Sequence, residues 1–223
     1  MFYTVSWYLT TPVIRTLFRT RFEGREHVPK KGPAIIASNH LSFLDHLIVG
    51  ISIPRQIYFI SKDQHFDYPI RRFLFSRWGV IPLKRGEGDQ EAFQKSAEVI
   101  ERGNVFCIYP EGTRSLDGRL HKGHTGVARL AAITKAPVVP VAMLGTFEAM
   151  PKGKSVPRLV KCGARFGPAL DFSSYHGKEN DRDAMRKVTD EIMEAIQKLS
   201  GQDYVDAYQF NPEVKTHAKP AQG

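Results

Sequence analysis

The amino-acid sequence predicts an α/β fold, in which a single domain holds a mixed, partly parallel sheet flanked by helices. Short apolar runs of strand length alternate along the chain with segments whose apolar residues recur at helical spacing. The length of 223 residues suits one large domain. Hydrophobic residues make up 42% of the chain and charged residues 25%, which is typical of a packed core.

The first two predicted strands flank one predicted helix in the sequence. AIIAS at 34–38 and IYFIS at 57–61 are apolar runs of strand length. Between them, the segment LSFLDHLIVGIS has helical spacing through four apolar residues: Leu41, Leu44, Ile48 and Ile51. GVIPL at 79–83 predicts a further strand, so this part of the chain already alternates as a partly parallel sheet requires.

The alternation continues to the end of the domain. Asp89 is predicted to cap a helix that ends at Gly103 and buries three residues: Phe93, Ala97 and Ile100. Strands are predicted for VFCIY at 105–109, PVVPVAM at 137–143 and LVKCGARF at 159–166, with a helix over 124–134. The segment 181–199 predicts an amphipathic closing helix with five apolar positions: Met185, Val188, Ile192, Ile196 and Leu199.

The two ends of the chain differ from this pattern, and we divide the sequence accordingly. Residues 1–22 are predicted to form N-terminal membrane-docking helices, 23–205 the α/β domain, and 206–223 a flexible C-terminal tail without periodicity. No run of ~18 to 20 apolar residues is present in the sequence, so no membrane-spanning helix is predicted.

Residues 1–22 are predicted to form a hairpin of two short helices. We expect the break between the helices at Thr10 to Pro12, because proline is tolerated at a helix start and not inside one. The segment has three arginines, no carboxylate and many aromatic residues: Phe2, Tyr3, Trp7, Tyr8 and Phe18. This composition favours an amphipathic helix lying among anionic headgroups. A helical hairpin packed on the domain is the alternative.

The net charge of +9 predicts attraction to a polyanion, either a nucleic acid, an anionic bilayer or a phosphorylated substrate. Helix-turn-helix, zinc-finger and aromatic RNA-binding motifs are absent from the sequence, which argues against a nucleic acid. Cys107 and Cys162 lie in apolar runs without metal-ligand spacing and are predicted to be buried thiols.

The segment NHLSFLD places His40 directly after a predicted strand and Asp45 five residues later, at the start of the following helix. Side chains at such a junction lie at the carboxyl edge of the sheet, where α/β folds bind ligands. A carboxylate that accepts the Nδ1 proton of a histidine leaves Nε2 free as a base, as in a serine-protease triad. A substrate hydroxyl then takes the place of the serine. Alone, this spacing is weak evidence, since a helix-capping or surface histidine fits it too.

Three further segments, GVIPLKR, YPEGTRS and LHKGHTG, each follow a strand or precede a helix. They bring charged and hydroxyl residues, with one glycine whose main-chain N–H can donate, to the same edge of the predicted sheet: Lys84, Arg85, Glu111, Gly112, Thr113, Arg114, Ser115 and Lys122. Arginine can bind a phosphate monoester bidentately, so these residues predict a positive pocket beside His40. A solvated surface charge is the alternative for any one of them.

NHLSFLD, GVIPLKR, YPEGTRS and APVVPVA resemble, in this order, the four motifs of the glycerolipid acyltransferase family, which includes the 1-acylglycerol-3-phosphate acyltransferases. The resemblance covers residues 33–143, and its motifs have family-like spacing.

The resemblance implies that His40 is the catalytic base and Asp45 orients it. It also implies that Arg85, with Lys84, holds the acceptor phosphate, and that Glu111 positions substrate or lies at the rim. Gly112, Thr113 and Arg114 complete the substrate-binding loop, and Lys122 fits a basic position after it. The fourth motif, Val138 to Val141, is expected to shape the sheet and an acyl-chain tunnel.

The implied reaction transfers a fatty-acyl group directly from an acyl-CoA or acyl-carrier-protein thioester to the hydroxyl of a lysophospholipid such as 1-acylglycerol-3-phosphate. A stabiliser for the oxyanion is required, for which a main-chain N–H near Gly112 is one candidate. We expect no metal or other cofactor. The expected partners are the acyl donor, the lysophospholipid and an anionic membrane surface, with a peripheral location on the cytoplasmic face of the cell membrane.

The alternatives concern the acceptor and the class of protein. Glycerol-3-phosphate, another lysophospholipid or a glycolipid would serve as acceptor in the same reaction. A non-catalytic basic adaptor on the membrane is the alternative from another class, and intact His40 and Asp45 argue against it.

Overall fold

The computed structural model describes residues 2–62, 73, 75–83 and 89–209. Its helices are α1 (Phe2–Leu17), α2 (Leu44–Ser52), α3 (Asp89–Glu101), α4 (Gly126–Thr134), α5 (Thr146–Ala149) and α6 (Arg182–Ser200). Its strands are β1 (Arg21–Glu23), β2 (Ala34–Ser38), β3 (Ile57–Lys62), β4 (Val80–Leu83), β5 (Val105–Ile108), β6 (Leu120–His121), β7 (Val138–Leu144), β8 (Gly163–Phe166) and β9 (Tyr204–Val205).

The main sheet of the described residues has the strand order β1-β8-β7-β2-β5-β3-β4. The strands from β7 to β4 in this order are mutually parallel, whereas β8 runs antiparallel to β7 and β1 runs parallel to β8. A short parallel pair, β6 with β9, lies apart from this sheet. The predicted mixed, partly parallel sheet flanked by helices is therefore confirmed.

The core lies on both faces of the sheet, because alternate residues of a strand point to opposite sides. Ile36 of β2 packs in a cluster with Ile48 of α2, while Ile35 belongs to a second cluster with Leu130 of α4 and Ile192 of α6. β2 is buried along its whole length, as the uninterrupted apolar run AIIAS predicts. The residue that follows this strand is thus fixed by a rigid scaffold.

α6 closes the second face of the sheet and has clear local start and stop signals. The Asp181 carboxylate accepts the N–H groups of Asp183 at 3.1 Å and Ala184 at 3.0 Å, as an N-cap residue does. Gly201 ends the helix with φ 69°, in the left-handed region that glycine adopts without strain. The predicted closing helix over 181–199 is confirmed.

β8 is shorter than the strand predicted over 159–166. Leu144, the last residue of β7, pairs with Gly163, so residues before Gly163 have no strand beside them. The chain also turns sharply at Gly145, where φ is 74° and α5 begins. The apolar residues within 159–162 therefore belong to a loop, in which the Leu159 side chain is exposed.

The predicted break at Thr10 to Pro12 is wrong, because α1 is one helix with Pro12 inside it. An interior proline costs a helix about 3 kcal/mol, which tertiary contacts must offset. Such contacts are present: the Tyr3 hydroxyl donates to the carbonyls of Gly50 at 3.2 Å and Arg55 at 2.9 Å, and Thr11 is buried. One side of α1 is packed on the domain, and the N-terminal hairpin is not formed.

The predicted tail begins too early at residue 206. Asp206 accepts a hydrogen bond from Lys122 at 2.8 Å, and the Tyr208 ring stacks on His124 with centroids 4.6 Å apart. The pairing of β9 with β6 holds this segment on the domain. The rest of the predicted tail, from residue 210 onward, lies outside the described residues. Among the helices that the structure describes, none combines the length and hydropathy needed to cross a bilayer.

The turn at Gly145 provides a test of this packing. A Cβ added at Gly145 would lie 2.0 Å from the Lys161 carbonyl oxygen, whereas at Gly153, which also has positive φ, it would meet nothing within 4 Å. Gly145→Ala should therefore lower the free energy of unfolding by at least about 2 kcal/mol more than Gly153→Ala, because main-chain atoms must move. Urea denaturation of both variants measures this, and equal losses would contradict the close approach.

Candidate active site

His40 and Asp45 lie side by side at the carboxyl end of β2. The Nδ1 of His40 is 2.8 Å from Oδ2 of Asp45, and the His40 side chain is 12% exposed while Asp45 is fully buried. Because an ionised carboxylate only accepts hydrogen bonds, this contact places the imidazole proton on Nδ1 and leaves Nε2 as an acceptor. The pairing predicted from the sequence is present in the structure.

Asp45 is held by the main chain of the loop before it. Its Oδ2 also accepts the N–H groups of Leu41 at 2.7 Å and Ser42 at 2.8 Å. Asp45 is in the first turn of α2, where the partial positive charge of a helix N-terminus favours an acidic side chain. The five-residue spacing therefore folds into a turn that fixes both members of the dyad.

The loop that follows β5 is hydrogen-bonded to both the main-chain N–H and the carbonyl of His40. Glu111 accepts the His40 N–H at 2.9 Å with Oε1, and the N–H of Ser115 donates to the His40 carbonyl at 2.6 Å. The second oxygen of Glu111, Oε2, accepts the N–H of His121 at 3.0 Å. Glu111 is 2% exposed. Both of its oxygens accept main-chain N–H groups and so position the loop at His40, while its expected role of positioning substrate or lying at the rim stays a prediction.

Aromatic rings surround the base. The Tyr109 ring stacks on the His40 ring, with centroids 3.9 Å apart and an interplanar angle of 14°. His46 lies 5.3 Å from His40 and 5.0 Å from Tyr109, ring centre to ring centre. Desolvation, followed by the nearby charge of His40, lowers the pKa of His46 to about 3. His46 therefore stays neutral near pH 7 and is a far weaker base than an ordinary histidine.

A buried amide connects this junction to the neighbouring strand. Asn39, directly before His40, accepts the N–H of Met143 at 2.7 Å with its side-chain oxygen. Its amide nitrogen donates to the Gln202 side chain at 2.6 Å, and Gln202 in turn donates to the Gly118 carbonyl at 2.6 Å. Hydrogen bonds to β7 and to the segment after α6 therefore also hold the end of β2 in place.

A cavity of about 480 Å³ opens beside His40. It lies where β3 diverges from β5. β3 pairs with β5 only at Ile57 and Tyr58 and then continues with β4 alone. The gap at the carboxyl ends is lined by β3, β5, α3, α4 and the loop after β5, and its apolar side chains include six residues: Phe59, Ile60, Phe93, Phe106, Ile108 and Leu130. His40 thus lies at a cavity that combines apolar and polar side chains.

Gly112, Thr113 and Arg114 line this cavity together with His40, as expected of one substrate-binding loop. The N–H of Gly112 donates to the Tyr109 carbonyl at 3.0 Å, so it is already used within the turn and is unsuited to hold an oxyanion. Gly112 has φ 70°, and a Cβ there would lie 3.1 Å from the His124 ring, which explains the glycine.

Lys122 is not part of the described cavity wall, and its role as a substrate ligand stays a prediction. Its Nζ is paired with Asp206, and its N–H bonds to the carbonyls of Val205 and Ala207, because β9 returns beside β6. Residues 138–141 of β7 are also absent from this wall, being buried in the sheet. Lys84 and Arg85 lie outside the described residues, so their role stays a prediction.

Tyr109 and Lys152 line the cavity and were not singled out from the sequence. Tyr109 directly follows β5 just as Asn39 follows β2, so its position at the carboxyl edge was a usable signal. Lys152 lies in the turn after α5 and lines the cavity, with its Nζ donating to the Thr113 hydroxyl at 3.3 Å. No local motif marks Lys152, because its position depends on contacts between distant segments.

Glu111 makes the folded protein sensitive to pH. Burial raises its pKa from 4.5 to about 7 despite the two N–H groups that donate to it. Between these values the folded protein retains a proton that the unfolded chain has released. The resulting contribution to stability is complete below about pH 4.5 and is lost as the pH rises through about 7.

We therefore expect the free energy of unfolding of the native protein to fall between about pH 4.5 and pH 8, relative to Glu111→Gln, by on the order of 2 to 3 kcal/mol. Urea denaturation across this range measures the difference. The matched control is Glu101→Gln at the exposed end of α3, which should follow the native curve. Parallel curves for the native protein and Glu111→Gln would contradict the raised pKa.

Comparison with known proteins relates this chain to acyltransferases. The family model described as acyltransferase matches residues 19–144, more than half of the chain. The chloroplastic 1-acyl-sn-glycerol-3-phosphate acyltransferase BAT2 of Brassica napus is 36% identical over 143 residues, covering 63% of this chain and 41% of that protein. A lyso-ornithine lipid O-acyltransferase of Pseudomonas aeruginosa is 27% identical over 150 residues, covering 67% and 56%. The chain thus spans about two fifths of the first relative and little more than half of the second.

The crystal structure of the 1-acyl-sn-glycerophosphate acyltransferase PlsC from Thermotoga maritima has the same fold. It superposes with a TM-score of 0.68 at 24% sequence identity, covering 86% of this chain and 80% of that one. The matched family model includes the junction of β2 with α2 and the loop after β5, which form the site described above. The chain belongs to the acyltransferase family.

Proposed function

We propose that the protein transfers a fatty-acyl group from a thioester of coenzyme A or acyl carrier protein to the free hydroxyl of 1-acylglycerol-3-phosphate, making phosphatidic acid. The observation that carries this proposal is the pairing of Asp45 with His40, which lines a cavity of apolar and polar side chains that also contains Arg114. The name of the Brassica napus relative supports the choice of acceptor.

In this reaction His40 accepts the hydroxyl proton at Nε2 as the hydroxyl oxygen attacks the thioester carbonyl carbon. Asp45 keeps the other imidazole proton on Nδ1 and stabilises the imidazolium. When the carbon–sulfur bond breaks, the proton passes from Nε2 to the departing thiolate. Held together in the cavity, the two reactants gain the advantage of orientation, which is worth ~7 to 11 kcal/mol when the geometry is good.

Other side chains at the cavity are poorly suited to carry this chemistry. The lowered pKa of His46 makes it too weak a base at neutral pH. Burial raises the pKa of the Cys107 thiol, which disfavours the thiolate that a covalent acyl-enzyme would need. Direct transfer assisted by His40 is therefore the step that the described residues favour.

We further propose that α1 rests on an anionic membrane surface at the cytoplasmic face, where the acceptor resides. Val5, Leu9 and Val13 recur every four residues along the outer side of α1 and are 53%, 67% and 55% exposed. Arg15 and Arg19 follow at the same end of the segment. An apolar stripe next to arginines suits the boundary between acyl chains and headgroups.

The catalytic role of His40 predicts a loss of turnover in His40→Ala of at least about a hundredfold, since general-base catalysis contributes this much or more. Asp45→Asn should give a comparable loss because it cannot hold the Nδ1 proton in the same way. The assay follows lysophosphatidate acylation by product mass, with His176→Ala as a histidine control outside the described cavity wall. Equal turnover in His40→Ala and His176→Ala would favour the non-catalytic adaptor.

The same assay tests the acceptor. Lysophosphatidate should be acylated faster than glycerol-3-phosphate, lysophosphatidylcholine or a lyso-ornithine lipid under matched conditions. Positional analysis of the product identifies the hydroxyl. Faster acylation of one of the other acceptors would replace lysophosphatidate while leaving the His40 mechanism in place.

Membrane docking by α1 predicts that the double variant Leu9→Glu/Val13→Glu loses at least about tenfold in partition to anionic liposomes, since burying each such side chain stabilises by ~1.5 to 3 kcal/mol. Sedimentation with vesicles measures the partition. Ile133→Glu, on the exposed side of α4, is the control because it also adds a charge at an exposed apolar position. Unchanged binding of the double variant would move the membrane surface elsewhere.

A further inference from the structure

Lys152 is a positive group at the cavity that none of the sequence motifs accounts for. It lies in the turn after α5, is half-buried, and its Nζ donates to the Thr113 hydroxyl at 3.3 Å. Thr113 and Arg114 are neighbours in the loop after β5, and all three residues line the same cavity as His40. Two separate segments of the chain therefore bring cations to one wall.

The main chain near Lys152 is tied to the dyad loop. The Ser42 hydroxyl, between His40 and Asp45 in sequence, donates to the Met150 carbonyl at 2.7 Å. The same oxygen of Ser42 accepts the N–H of Leu44 at 3.1 Å, which fixes its direction. The turn is also closed internally by the N–H of Lys154, which donates to the Pro151 carbonyl at 3.1 Å. The position of Lys152 is therefore coupled to that of the base.

The charge on Lys152 has no counter-ion among the described residues. Arg114 and Lys152 are the cationic side chains of the described cavity wall, and no carboxylate occurs in that wall. By contrast, Lys122 on the other side of the loop is neutralised by Asp206 at 2.8 Å. Two unneutralised cations and a hydroxyl around a partly desolvated space are the chemistry that recognises a phosphate monoester.

We propose that Lys152 is a substrate-binding residue that holds a phosphate group beside His40, together with Arg114 and the Thr113 hydroxyl. The arginine fork can bind two phosphate oxygens, while the lysine ammonium group acts as a point charge at the same wall. The Thr113 oxygen accepts from Lys152, so its own hydrogen is left to donate to the phosphate. The choice of the acceptor phosphate, rather than a phosphate of the thioester donor, rests on the proposed function.

The test separates binding from turnover. In the full-length His40→Ala background, calorimetry measures the affinity for a short-chain lysophosphatidate and for the matching monoacylglycerol, which lacks the phosphate. Lys152→Ala should weaken lysophosphatidate binding by about tenfold or more, the effect expected for losing one charge-assisted hydrogen bond, and leave monoacylglycerol binding unchanged. Lys152→Arg should restore most of the affinity. Lys154→Ala, an exposed lysine of the same turn, should match the parent.

Steady-state kinetics with intact His40 identify the source of the phosphate. A rise in the KM for lysophosphatidate with kcat and the melting temperature nearly unchanged supports the acceptor site. A rise in the KM for acyl-CoA instead would overturn it and place a donor phosphate at Lys152. A loss of melting temperature and kcat without a change in either KM would overturn it in favour of a structural role through Thr113.

Failure of the function and failure of this inference give different results. If the native protein does not acylate lysophosphatidate but binds it in a Lys152-dependent manner, the proposed function fails and the phosphate site stands. If acylation proceeds and Lys152→Ala behaves like Lys154→Ala, the phosphate site fails and the function stands. The absence of both acylation and binding overturns both.

Discussion

The main-chain N–H and carbonyl of His40 are both hydrogen-bonded to the loop after β5, and the arrangement of the site depends on these two contacts. β2 and β5 are parallel neighbours, with Ala37 opposite Ile108, so their two following loops emerge side by side. Glu111 and Ser115 then join these loops through the His40 main chain. The base is consequently held by the sheet itself as well as by Asp45.

The two buried carboxylates of the site act on different groups. Asp45 collects three donors on one oxygen and orients an imidazole. Glu111 distributes two main-chain donors over its two oxygens and joins His40 to His121. An acidic residue in a motif is therefore not automatically a substrate ligand. In this fold its oxygens accept N–H groups that a loop would otherwise bury without partners.

Local patterns predicted those parts of the molecule that local interactions determine. The alternation of strands and helices gave the sheet, and the His40–Asp45 spacing gave the dyad, because five residues suffice to form the turn. Pro12 was misread because the contacts of Tyr3 with Gly50 and Arg55 are distant in sequence.

Long-range contacts also determine the surroundings of the basic residues. Lys122 was assigned to substrate from the family resemblance, and its contact with Asp206 could not be predicted because Asp206 lies in a segment that has no periodic pattern. Lys152 was missed because it reaches the cavity only through the packing of the turn after α5 against the dyad loop. A basic residue can be recognised from sequence, whereas the presence or absence of a counter-ion is a property of the tertiary structure.

The divergence of β3 from β5 separates one wall of the cavity from the strands that carry His40. The β3–β4 pair joins the remaining strands through only two residue pairs, so the cavity wall on that side is not part of the hydrogen-bond ladder that carries His40. Substitutions at Ile60 or Ser61 of this wall would change the width of the cavity while the paired strands that carry His40 stay in place. The width of the cavity and the position of His40 are therefore set by different parts of the sheet.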